Sequence, residues 1–167
     1  KVKRVEDVLR VFDKVRKVIP SKLILIGDGP ERSNIEKLCR ELDTCNDIRS
    51  LGKVISPEQV LCLADLFLLT SETESFGLAA LEAMAAKVPV ISTNTGGIPE
   101  VNKQGYSGFL SEVGDVEDMA KNPLHILSDE KRLPAFKANA FEQAKKFRME
   151  TILPMYEQLY EDTISYR

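Results

Sequence analysis

A chain of 167 residues, 43% apolar and 29% charged, is long enough for one domain with a sizeable core and too apolar to be disordered. Its formal net charge of −3 excludes a general basic field for long nucleic acid or an anionic membrane. No run reaches the roughly 18 apolar residues of a membrane span and no charged-then-apolar leader opens the chain, so the cytoplasm is the default expectation.

In chain order, the apolar residues Val5, Val8, Leu9, Val11, Phe12, Val15, Val18 and Ile19 recur at helical spacing, and Pro20 ends that helix. Eight basic residues against three acidic ones between Lys1 and Lys22 read mostly as the solvated face of this helix. The run Lys22 to Gly27 is apolar on both faces, as a buried parallel strand is. Gly27-Asp-Gly-Pro-Glu31 turns into a second helix carrying Ile35, Leu38, Cys39 and Leu42 on one face. Ile48 to Leu51 is predicted as a strand, and Ser56-Pro57-Glu58 starts a further helix with a cap residue followed by proline.

Asp65 to Thr70 is apolar in its middle, Gly77 to Lys87 is a helix rich in Ala and Leu, and Pro89 to Thr93 is strand-like again. After the Gly96-Gly-Ile-Pro-Glu100 turn, a short helix and a strand at Gly108 to Leu110 close the sheet. Helices follow from Val116, with a kink or restart predicted at Pro123, which costs about 3 kcal/mol inside a helix. The alternation predicts an α/β fold with one mostly parallel, Rossmann-like sheet covered by helices on both faces, within a single domain over residues 1–167. Cys39, Cys45 and Cys62 lack the paired spacing of a zinc or redox motif and read as reduced thiols.

In an open parallel sheet, ligands sit at the carboxyl ends of strands, which directs attention to the loops 27–31, 52–56, 71–77 and 93–100. Glu82 is the only polar side chain between Phe76 and Ala86. A helix this apolar is expected to be largely buried, and a carboxylate inside it needs donors such as ligand hydroxyls. Glu74 lies eight positions earlier, so the two carboxylates stand roughly 10 Å apart along the helix. That separation is too large for an acid/base pair and suits the two ends of an extended ligand. Between them, the free amides of Ser75, Phe76, Gly77 and Leu78 at the positive helix end suit a diphosphate, and Gly77 would allow close approach to it.

These residues resemble the family 4 retaining glycosyltransferases of the GT-B fold. The resemblance rests on Glu74-Ser-Phe-Gly-Leu-Ala-Ala-Leu-Glu82 with, in order around it, Gly27-Asp-Gly-Pro-Glu31, Val88-Pro-Val-Ile-Ser92, Gly96-Gly-Ile-Pro-Glu100 and Gly105-Tyr-Ser-Gly-Phe-Leu110. It implies one half of a GT-B fold, the C-terminal donor-binding domain. Glu74 would bind hydroxyls of the donor sugar, Ser75 to Leu78 the diphosphate, and Glu82 the ribose. Gly27 and Gly29 would line the cleft floor, and Lys53, Val54 and Ile55 would lie along the nucleobase. Lys3, with Arg4 as the neighbouring alternative, would neutralise the leaving diphosphate; a partner arginine and the first strand of the domain would precede residue 1. Glu74 and Lys3 are thus the catalytic candidates, with no metal and no cofactor beyond a nucleotide sugar. His125, far from these loops in sequence, reads as structural.

Within the family, Val2 to Val5 and Glu74 to Val101 are similar to the subgroup that joins N-acetylglucosamine to L-malate, which implies a UDP-linked donor and malate as acceptor. The acceptor would be bound by an N-terminal domain outside this chain, which lacks an initiating Met and reads as a piece of a longer protein. Two other classes compete with this reading. One is a nucleotide or nucleotide-sugar binding module without catalysis. The other, a receiver-type signalling domain, needs an acidic pocket that these loops do not carry.

Overall fold

The computed structural model describes residues 2–165. Its elements run α1 (Val5–Arg16), β1 (Leu23–Ile26), α2 (Arg32–Glu41), a 3-10 turn (Cys45–Asp47), β2 (Ile48–Gly52), α3 (Glu58–Leu61), β3 (Phe67–Leu69) and α4 (Leu78–Ala85). They continue with β4 (Val90–Thr93), α5 (Ile98–Val101), β5 (Gly108–Ser111), α6 (Val116–Leu127), α7 (Arg132–Lys145) and α8 (Met149–Ser165). Every predicted strand is present, each within a few residues of its expected place.

All strand pairs are parallel, and β4 shows why helices cover both faces. Successive residues on a strand point to opposite sides. Val90 packs with Ala80, Ala83, Met84, Val101 and Ala140, whereas Ile91 packs with Val11, Val15, Met119, Ile126 and Phe136. Thus α4, α5 and one face of α7 cover one side, and α1, α6 and the other face of α7 cover the second. A sheet fully buried on both faces explains why β4 reads as an uninterrupted apolar run.

The single sheet predicted from the alternation is divided. β1 pairs with β2, and β3, β4 and β5 form a separate three-stranded sheet, with no ladder joining β1 to β3 among the described residues. Between them lies a cleft of about 1460 Å3 lined by both strands and by α1. The expectation that β1 is buried on both faces therefore fails, because Ile24 and Ile26 are 45% and 39% exposed. The chain start lies at one end of this cleft: the Glu72 amide donates to the Val2 carbonyl (2.8 Å), and the Thr70 hydroxyl donates to the carbonyls of Lys3 and Arg4 (2.8 and 3.0 Å).

Two further expectations change. α6 continues through Pro123 without a restart, and Pro123 is buried. Its Asp115 cap accepts from the Asp118 amide, and the burial of Met119, Ala120 and Ile126 against α1 and β4 outweighs the local cost of proline. Cys39 and Cys45 are not separate thiols but a disulfide, which the sequence spacing did not suggest; Cys62 is free and exposed.

The loop after α5 is fixed by a buried side chain. The Asn102 amide donates to the Val90 carbonyl (3.0 Å), the Ser92 hydroxyl (2.9 Å) and the Phe109 carbonyl (3.1 Å), and its carbonyl accepts from the Ser107 hydroxyl (3.0 Å). Gly108 is required beside it, since a Cβ there would lie 1.8 Å from the Val90 carbonyl oxygen. Replacing Asn102 by Leu removes three buried hydrogen bonds and a fourth that is partly buried, and at about 1–3 kcal/mol for each buried group left unpaired we expect a loss of at least about 3 kcal/mol. Urea unfolding checks this; a loss under about 1 kcal/mol would show that the network contributes little.

Candidate functional site

Three segments are knitted together where β3 and β4 end. The Thr93 hydroxyl donates to the Ser71 carbonyl (2.6 Å), the Thr95 hydroxyl to the Glu72 carbonyl (3.2 Å) and the Gly97 amide to the Glu74 carbonyl (3.2 Å). The chain start joins through Val2 and Lys3. The result is a compact wall built from residues 2–4, 70–76 and 93–97.

Glycine is dictated at two points of this wall. A Cβ on Gly96, whose φ is +54°, would lie 1.7 Å from the Glu74 carbonyl oxygen, and one on Gly97 would lie 2.5 Å from that of Ser75. The paired glycines thus let the second loop lie flat against the first. Gly77 adopts a φ of +91° to open α4, and it is buried beneath Ile98. It therefore makes the turn into the helix.

At the centre, the Lys3 ammonium donates to Glu74 Oε2 at 2.5 Å, and the Ser71 hydroxyl donates to the same oxygen at 3.3 Å. The Glu74 side chain is largely enclosed, whereas Lys3 is more than half exposed. The cation expected at the diphosphate and the carboxylate expected at the sugar therefore meet each other. Spacing along the sequence held no sign of this, because 71 residues separate them. Arg4 does not share the position. Its guanidinium donates to Asp7 (2.7 Å) and rests near Gly114, and the hydrogen bond to Asp7 holds its pKa above the ordinary arginine value. Lys3 is thus the available cation of the two.

Directly after Glu74, Ser75 and Phe76 are exposed, and Phe76 is held edge-on by Phe147, ring centroids 5.7 Å apart. Leu78 is 64% exposed at the first turn of α4. Glu82 departs from its prediction. α4 buries Ala80, Ala83 and Met84, which places Leu78, Glu82 and Ala85 on the outward face, so Glu82 is exposed rather than enclosed in an apolar helix. The apolar composition misled because alanine is equally at home on either face. An exposed carboxylate one helix length from Glu74 needs no internal donor and is open to a ligand.

The remaining candidates sit on the β1–β2 sheet. The Gly27 amide donates to the Gly52 carbonyl (2.8 Å), which sets the loop after β1 beside Lys53, Val54 and Ile55 after β2. Gly27, Gly29, Lys53 and Ile55 are exposed, Ile55 completely, and Val54 is half-buried. Lys3, Gly27 and Gly29 border the gap between β1 and β3. Among the described residues, no hydrogen bond or ion pair joins Lys53 or Glu82 to the Lys3–Glu74 pair. His125 lies apart, its ring edge-on to Phe109 and its Nδ1 3.1 Å from Arg132.

The family described as glycosyl transferases group 1 matches residues 1–143. N-acetyl-alpha-D-glucosaminyl L-malate synthase of Bacillus anthracis is 43% identical over 165 residues, which is 98% of this chain and 43% of that protein. Among solved structures, a TarM mutant of S. aureus in complex with Fondaparinux, alpha-GlcNAc-glycerol and UDP superimposes with a TM-score of 0.87 at 25% identity, over 96% of this chain and 33% of that one. Anabaena HepE in complex with UDP superimposes with a TM-score of 0.85 at 25% identity, over 99% of this chain and 46% of that one. The chain thus spans less than half the length of each of these proteins.

Proposed function

This chain belongs to the group 1 glycosyl transferases, with a Rossmann-like α/β fold of the GT-B kind, and from that premise we propose that residues 1–167 are the donor-binding domain of a retaining hexosyltransferase. Its donor is UDP-N-acetylglucosamine and its acceptor L-malate, the latter held by an N-terminal domain outside this chain. The observation that carries the reading is the enclosed Glu74 carboxylate, ion-paired to Lys3, immediately before the exposed amino end of α4. The likeness to a protein named for joining N-acetylglucosamine and malate supports the choice of substrates.

In this reading the leaving diphosphate lies at the amino end of α4, where unpaired amides and the helix dipole favour negative charge. Lys3 adds a full positive charge at the same place. As the bond to the anomeric carbon breaks, negative charge grows on the diphosphate, and preformed positive groups there lower the barrier. Glu74 accepts hydrogen bonds from sugar hydroxyls and orients the ring; it is not the nucleophile. Glu82, on the outward face of α4, accepts from the ribose hydroxyls, while Gly27, Gly29 and Lys53 to Ile55 border the nucleoside. No metal and no cofactor beyond the nucleotide sugar is invoked.

The division of the sheet favours a further strand between β1 and β3, supplied by the longer protein. The chain alone is then a module that binds UDP without transferring sugar. The test is to give the full-length protein UDP-N-acetylglucosamine and L-malate and to read the product's anomeric configuration by NMR. The expected product retains the donor's configuration. An inverted product removes the retaining assignment, and absence of transfer to malate removes the acceptor.

A further inference from the structure

We propose that Cys39 and Cys45 are a reversible redox modification site, a dithiol that reacts with low-molecular-weight disulfides and staples the end of α2 to the turn before β2. Their Cα atoms are 5.2 Å apart, inside the range that a disulfide spans without backbone movement. More telling is that non-covalent bonds hold the two ends together. The Thr44 amide and hydroxyl both donate to the Cys39 carbonyl (2.9 and 3.2 Å), with Thr44 fully buried. Arg16 donates to the Leu42 carbonyl (2.9 Å) and, with Lys22, holds Asp47. Asp43, at φ +52°, makes the reversal between them. Reduction therefore leaves two thiols in reach of each other, which favours closure of the second bond over loss of the first.

Accessibility orders the steps. Cys45 is exposed and Cys39 half-buried. The Cys45 thiolate attacks the small disulfide, forming a mixed disulfide and releasing one thiolate. The Cys39 thiolate then attacks the Cys45 sulfur and expels the second. Two protein thiols are oxidised, and one small disulfide is reduced to two thiols. α2 begins at the Gly27–Glu31 turn and β2 ends at Gly52, so the staple ties together the far ends of the two elements that carry the nucleoside-side loops. That consequence rests on the function proposed above; the chemistry of the pair does not.

Trypsin supplies the test, because Arg40 lies between the two cysteines. The full-length protein is equilibrated anaerobically in glutathione buffers of varied redox ratio, trapped with N-ethylmaleimide and digested. In oxidising buffer, peptide Leu38–Arg40 is expected joined to peptide Glu41–Arg49. In reducing buffer both are expected alkylated and separate, and the change should reverse through a full cycle. Cys45→Ser should abolish the joined pair and leave at most a mixed disulfide at Cys39. Two singly capped cysteines in oxidising buffer, or a joined pair that survives excess dithiothreitol, would overturn the proposal. Amide exchange over residues 41–52 should quicken roughly threefold or more on reduction, and equal rates would remove the stapling role. UDP titration of both forms separates the two readings: loss of binding in both would fall on the donor site, while the peptide result still decides the pair.

Discussion

Glu74→Ala in the full-length enzyme is expected to lower kcat/KM by roughly 100- to 1000-fold while leaving the unfolding midpoint nearly unchanged. The size follows from two hydroxyl hydrogen bonds to a carboxylate at about 1.5–2 kcal/mol each, the lower part of the range for charged acceptors, with about 1.4 kcal/mol per factor of ten. Folding is spared because the Glu74 side chain serves mainly Lys3, which is exposed and can be rehydrated. Steady-state kinetics at saturating malate, with a thermal melt alongside, measures both. A loss under fivefold would remove Glu74 from the sugar. A large fall in the melting midpoint would instead make it a structural residue.

Gly96→Ala is expected to be nearly as damaging although Gly96 need not touch substrate. The added Cβ would lie 1.7 Å from the Glu74 carbonyl oxygen, so the 70–76 loop must move. Displacing a positioning group by about 1 Å can cost about 100-fold in rate. Part of any effect comes from the left-handed backbone, which costs an alanine about 1–2 kcal/mol. Gly105→Ala isolates that part: Gly105 has a φ of +68° but nothing within 4 Å of an added Cβ. Gly105→Ala should therefore lose stability and keep its kcat/KM, while Gly96→Ala should lose both. Equal activity in the two variants would show that the contact between the loops does not position Glu74.

Much of this architecture was legible because parallel strands and their helices obey simple periodicities. Leu23–Ile26, Phe67–Leu69 and Val90–Thr93 appear where short apolar runs end in glycine, serine or threonine loops. What stayed hidden was non-local or composition-blind. The Lys3–Glu74 pair joins residues 71 apart, and no spacing rule reaches that far. The exposure of Glu82 depends on which face of an alanine-rich helix is turned inward, and alanine does not mark a face. The separation of β1 from β3 is not reported by the apolar runs, and only the family resemblance, which implied a first strand before residue 1, pointed toward it. The Cys39–Cys45 bond depends on the reversal at Asp43 and Thr44, which brings together two thiols with none of the recognised spacings. Only the double glycine at 96–97 carried a readable hint, since adjacent glycines after a buried strand signal close backbone approach.

The central claim is that a nucleotide sugar spans the distance from Glu74 to Glu82, with UDP at the Glu82 end. Calorimetric titration of UDP into the full-length protein and its Glu82→Ala variant tests it most directly. Because Glu82 lies exposed on α4, the substitution should not disturb folding. Loss of a charged hydrogen bond to ribose, about 1.5–3 kcal/mol, predicts a Kd weakened about 10- to 100-fold. An unchanged Kd would contradict the account and detach the nucleotide from this end of the helix.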